Sequence, residues 1–321
     1  PPPGHSSAAS DVYKRQALGT PSLVYIWKWF SAALLILPQS ILLGMTFPLL
    51  SGGYIRRTKN QDGQVLSGLY FTNSIGAAAG ALASTFLLLP WSGLPGTVAI
   101  AGWINIIVAV IAWLVASQGQ EVKREAHQAQ AVPEQDQLPV SARFILFAAF
   151  ITGASSFVYE IGWVRMLNLA LGTTLHSFEI MLSAFIAGLA FGGLWIRKRI
   201  DQLERPLRAA GFAQLLMGLA VVLSLALYNN IFDWVGSLYS SLSRDSEAYA
   251  LYNLGSAAIA MIIMIPAAFF AGMTLPLFTL SLLRGGEGEA AIGRVYATNT
   301  LGAIAGVFLA VHFLIPWLGL K

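Results

Sequence analysis

The chain has 321 residues, 56% of them hydrophobic and only 11% charged, with a mean hydropathy of +0.66. Soluble domains carry roughly 45 to 50% apolar and about 25% charged residues, so this chain cannot clothe itself in a polar surface. The net charge of +4 is read as the Lys and Arg excess of loops on one side of a membrane, not as a nucleic-acid footprint. With no cysteine there is no disulfide, thiolate metal site or cysteine nucleophile, and His5, His127, His176 and His312 are too scattered for a metal cluster. No cofactor is expected.

Residues 1–16, PPPGHSSAASDVYKRQ, differ in composition from the rest of the chain and lack the apolar core of a signal peptide. They read as a non-native, adapter-derived tail, with the gene continuing upstream. Apolar segments then run over about 21–46, 65–90, 95–117, 144–164, 174–196, 207–228, 249–273 and 291–316, each long enough to cross a hydrocarbon layer about 30 Å thick. Their internal Gly and Pro are tolerated in a membrane, where neighbouring helices satisfy the freed backbone groups. The expected fold is all-α: a polytopic transmembrane bundle of about eight spans.

Residues 118–142 form the longest polar stretch and read as a linker between a first membrane half, 17–117, and a second, 143–321. Thirteen of the 19 basic residues fall on alternate loops. These are Arg56, Arg57, Lys59, Lys123, Arg124, Arg143, Arg197, Lys198, Arg199, Arg205, Arg208, Arg284 and Arg294. That side, linker included, is expected to be cytoplasmic. The stretch 229–248 is expected to be an outer loop, with Trp and Tyr at the interface.

The most specific signal is an internal repeat. Gly44-Met45-Thr46-Phe47-Pro48-Leu49 returns as Gly272-Met273-Thr274-Leu275-Pro276-Leu277, at an offset of 228, and Pro38 pairs with Pro266. Residues 67–94 then match 293–320 at an offset of 226, with 12 of 28 positions identical. Among the identities are Tyr70/Tyr296, Thr72/Thr298, Asn73/Asn299, Gly76/Gly302, Gly80/Gly306 and Trp91/Trp317. Both copies enter from the same side, each preceded by an outer loop and interrupted by a basic cytoplasmic loop, so the repeat is parallel and resembles a truncated 6+6 bundle of the major facilitator type. On that pattern the first half retains spans four to six and the second spans one to five, and an intact version has about twelve helices.

Residues 143–199, containing FAAFITGASSFVYEIGWVRMLNLALGTTLHSF, together with the two GMTxPL and YxTNxxGAxxG units, resemble the membrane region of fused spermidine synthase-like proteins. The resemblance covers nearly all of residues 21–321. It implies a facilitator-like bundle that precedes a Rossmann-type aminopropyltransferase domain, and a polyamine ligand. Residues 1–321 contain no glycine-rich strand-to-helix turn, and Asp62, Asp136, Asp201, Asp233 and Asp245 are assigned to loops. A catalytic domain is therefore expected beyond Lys321, and the chain by itself is expected to be non-catalytic. The resemblance implies two roles, anchoring the enzyme and moving polyamine-type amines. A stand-alone facilitator-like transporter of a small cationic or organic solute, or a non-transporting scaffold, are the alternatives. The expected location is a bacterial inner membrane, with the lipid bilayer as partner.

Ionisable residues within apolar spans are default functional candidates. Glu160 and Arg165 are read either as substrate or proton-coupling groups or as a structural pair at a helix end. His176 and Glu179 share one helix face and are read as a proton relay or an interfacial hydrogen-bonded pair. Tyr70, Thr72 and Asn73, with Tyr296, Thr298 and Asn299, place polar groups at equivalent points of both halves, where they line a cavity or bond between helices. Gly76, Gly80, Gly188, Gly192, Gly302 and Gly306 have the GxxxG spacing of close helix packing.

Overall fold

The computed structural model describes residues 21–56, 61–118, 141–242 and 246–319. The tail at 1–16, most of the 118–142 linker, and Arg57, Lys59, Lys123 and Arg124 lie outside them. All regular structure among the described residues is helical, with no strand. The helices are α1 (Pro21–Ile55), α2 (Asp62–Ala83), α3 (Leu89–Gln118), α4 (Ala142–Leu171), α5 (Leu175–Arg197), α6 (Pro206–Ser241), α7 (Ser246–Arg284), α8 (Ala290–Leu309) and the short α9 (Ile315–Leu318). Seven stretches of described helix are long and apolar enough to cross a membrane.

The predicted segments at 65–90 and 95–117 belong to one of these stretches, Asp62–Ser117, of 56 residues. Straight, it would measure about 84 Å, nearly three hydrocarbon layers. Gly93 breaks it, with φ 65° and ψ −179°, a conformation only glycine adopts readily. A π-helical turn, Ser84–Leu88, precedes the break. Both features recur 226 residues on, as the π turn Ala310–Leu314 and Gly319 at φ 72°, so the sequence repeat is also a repeat of two uncommon backbone states.

The expected outer loop at 229–248 is mostly helix, and Asp233 sits within α6, not in a loop. Ile231, Trp234, Val235 and Leu238 continue the apolar spacing of α6 across the polar residues, and Ile231 is buried.

Two compact units divide at Leu50/Ser51. In the first, α1 carries exposed Trp27, Trp29, Phe30, Leu34 and Leu42 and two internal prolines, Pro38 and Pro48. The second is built around α7, which packs on α2, α4, α5, α6 and α8. One apolar core joins Trp163, Leu167, Met181, Phe185 and Met264; another, toward the basic end, joins Ile145, Ile196, Ile200, Leu277 and Val295.

Helix directions are set by which residues meet. On α4 and α8, Phe150 faces Gly302 and Ala154 faces Gly306, so these two run parallel. On α2 and α5, Ser183 bonds the Ala78 carbonyl while Tyr70 lies at Gly193 and Gly68 at Arg197, so these run antiparallel. Since α5 folds back on α4, with Trp163 against Phe185 and Ile145 in one core with Ile196, α2 and α8 point the same way.

Two pairs, α4 with α8 and α5 with α7, approach through glycine. A Cβ on Gly302 would lie 2.0 Å from the Phe150 carbonyl oxygen, on Gly306 2.2 Å from that of Ala154, and on Gly153 2.1 Å from that of Asn299. A Cβ on Gly192 would lie 1.9 Å from the Phe269 oxygen, on Gly272 2.1 Å from that of Leu189, and on Gly188 2.6 Å from the Ala268 Cβ. Backbones at this separation gain dispersion and Cα–H···O contacts that larger residues forbid. Gly76 and Gly80 differ from their repeat mates: nothing lies within 4 Å of a Cβ at either.

Side-chain bonds add rungs between the parallel helices α4 and α6. Gln214 Nε2 donates to Thr152 Oγ1 at 2.6 Å, and Trp163 Nε1 to Ser224 Oγ at 3.0 Å. Interhelical bonds of this kind contribute about 0.6 kcal/mol on average. Gln214→Leu is expected to lower stability in detergent by about that amount, measured by thermal unfolding, and not by several times as much.

Candidate functional site

The polar residues of the second unit gather at its basic end, where the α5–α6 connection meets the start of α2 and the end of α7. The Asp201 carboxylate accepts from the Gly63 and Gln64 N–H groups, both at 2.8 Å. It therefore satisfies two of the four donors that the first turn of α2 leaves free, where negative charge also meets the positive end of the helix dipole. Gly63 makes room for it, since a Cβ there would lie 2.7 Å from Asp201 Oδ1. Arg284, at the end of α7, donates to the carbonyls of Asp201, at 2.7 Å, and Leu203. The connection is thus clamped from both sides. Asp201→Ala is expected to cost about 1 to 2 kcal/mol in thermal unfolding, with Asp201→Asn between it and the parent.

Arg56, the repeat mate of Arg284, instead grips Glu289 in front of α8, with Nε at 2.9 and 2.7 Å from its two oxygens. Arg294 reaches Glu287 at 2.6 Å. Arg197 lies across α2 at Gly68, where a Cβ would stand 3.0 Å from Nε and 3.2 Å from Cζ. It borders a cavity of about 470 Å³ lined also by Tyr54, Gln61, Gln64, Val65, Leu69 and Thr72.

Above this end, Tyr70 lies on α2, and Tyr296, half-buried on α8, packs against the core toward the basic end. Tyr70 is buried, bonded to Ser74, and its ring fills the space left by Gly193, where a Cβ would come within 2.9 Å. Tyr296 is its repeat mate on α8. Their neighbours diverge: Asn73 is exposed, whereas the Asn299 backbone lies against Gly153. Thr72 bonds its own helix at the Gly68 carbonyl and borders the cavity, and Thr298 is half-buried.

Glu160 and Arg165 do not form a pair. Glu160 is 9% exposed and Arg165 is exposed, as five residues of helix, about 500° of turn, require. No hydrogen bond or ion pair joins Glu160 to another described residue. His176 makes no hydrogen bond to Glu179; its ring packs edge-on against Phe86 at 4.9 Å and Tyr249 at 6.0 Å. Among the described residues no cluster of three His, Cys, Asp or Glu could hold a metal ion.

Asp201, Arg284 and the Arg197–Gly68 contact were not singled out by the sequence. The repeat offers one signal, the Arg56/Arg284 equivalence, and the rest depends on which helices meet.

No protein-family model matches the chain, and no solved structure matches it. It is similar to a Streptomyces coelicolor protein named Polyamine aminopropyltransferase 2, with 28% identity over 186 residues, covering 56% of this chain and 31% of that protein. The chain thus matches about a third of the relative's length.

Proposed function

We propose that the chain is the membrane-embedded domain of a polyamine aminopropyltransferase-type protein, holding the enzyme at a bacterial inner membrane with its basic end in the cytoplasm. The observation that carries this reading is the similarity to a protein named for that transfer, in a chain whose described residues form seven membrane-length apolar helices. The surface fits a lipid surround: Leu215, Leu219, Val222, Leu301 and Phe308 are all exposed on their helices, an arrangement unfavourable in water and favourable in hydrocarbon. On this reading the helices adopt a facilitator-like arrangement of two parallel halves.

The test is the intact gene. Membranes from cells expressing it should carry aminopropyltransferase activity, and deletion of residues 21–318 should move that activity to the soluble fraction. Activity that stays in the membrane after the deletion, or is absent from the intact product, contradicts the proposal.

Tyr70 and Tyr296, at matching positions of the repeat, favour a second role, passage of the amine itself. Two phenols at equivalent points of a parallel repeat offer hydroxyl and aromatic faces to a cation. Tyr70→Ala with Tyr296→Ala should abolish putrescine exchange by proteoliposomes, whereas undiminished exchange removes these residues from the path.

A further inference from the structure

Arg197 is placed differently from Arg56, Arg284 and Arg294. Arg56 and Arg294 each hold a carboxylate, and Arg284 holds two carbonyls. Arg197 has no hydrogen-bonding or ion-pair partner among the described residues, yet its guanidinium is seated against the backbone of α2 at Gly68. An alanine there would push Nε and Cζ outward by a few tenths of an ångström. The cavity it borders is lined by both polar and apolar groups, and among the described residues none of them is a carboxylate, the polar side chains being Gln61, Gln64, Thr72 and Tyr54. Asp201, the acid on the neighbouring connection, has both oxygens committed to backbone N–H groups.

A guanidinium that lines a cavity with two side-chain amides and no carboxylate among the described lining residues is complementary to an anion, and the guanidinium fork matches phosphate oxygens in particular. We infer that this cavity is a binding site for a phosphate group. It opens at the end of α5, a membrane-length helix, the level at which lipid phosphates lie. A lipid headgroup and a soluble phosphate compound present the same chemistry. The inference is independent of the enzymatic reading.

The test uses the purified full chain in neutral detergent, titrated with inorganic phosphate and, separately, with dioctanoyl phosphatidylglycerol, binding being followed by native mass spectrometry. At least one probe should bind. Arg197→Gln should weaken it about tenfold or more, Gly68→Ala should weaken it with every charge retained, and Lys198→Ala should leave it unchanged. Binding of the lipid without phosphate assigns the site to headgroups; binding of both assigns it to phosphate compounds generally. Neither probe binding, or equal binding by the parent, Arg197→Gln and Gly68→Ala, overturns the inference. Should Arg197→Gln fail to fold, Gly68→Ala decides.

Discussion

Leucine in place of Gly302 or Gly192 is expected to disrupt the bundle, whereas leucine at Gly76 is expected to be tolerated in this chain. At Gly302 and Gly192 the first side-chain atom would sit 2.0 and 1.9 Å from a partner's carbonyl oxygen, inside any contact distance, and the obstruction is backbone that no rotamer change relieves. The helices must separate, losing the contacts around the crossing, and overpacking of this kind costs about 3 kcal/mol or more. Gly76 meets open space, so its cost is the small change in helix propensity, which favours leucine. Thermal unfolding in detergent checks both. Equal destabilisation at Gly76 and Gly302 would mean that a partner covers the Gly76 face under the conditions of measurement.

The second large effect concerns catalysis. Aminopropyl transfer needs a positioned nucleoside donor, a deprotonated amine and acidic groups that orient both. Glu160 lacks a polar partner among the described residues, and Glu179 does not bond the neighbouring His176. No strand is present among the described residues to build a nucleotide-binding turn. On the proposed reading, in which this chain is the membrane domain and the transfer is carried elsewhere in the protein, the isolated chain is expected to show no turnover of decarboxylated S-adenosylmethionine with putrescine. Turnover abolished by Glu160→Gln or Glu179→Gln would place the chemistry among the helices.

The apolar segments were legible because membrane-length hydrophobicity is a property of composition, and the repeat because identical residues recur at a fixed offset. What lay beyond the sequence was what each face touches. Gly76 and Gly302 occupy the same motif, yet only Gly302 meets another helix, because α4 lies against α8 and no described helix lies against the equivalent face of α2. Asp201 is one aspartate in a basic connection, and only the arrival of α2 at that connection makes it a cap. The end of α6 was missed because Asn229, Asn230 and Asp233 look like a loop by polarity, while Ile231 and its helical neighbours keep the chain packed. His176 was read by its charge chemistry, and the structure uses it as a ring.

A membrane-crossing bundle whose two repeat units share one orientation is tested most directly by single-cysteine accessibility, for which the absence of native cysteine provides a clean background. Cysteines placed one at a time at Arg56, Gly286, Thr173 and Ser240 would be challenged with a membrane-impermeant maleimide in intact cells and again after permeabilisation. Thr173→Cys and Ser240→Cys should label from outside, and Arg56→Cys and Gly286→Cys only after permeabilisation. Labelling of Arg56→Cys and Gly286→Cys from opposite sides would contradict the parallel repeat, and recovery of all four variants in the soluble fraction would contradict membrane embedding itself.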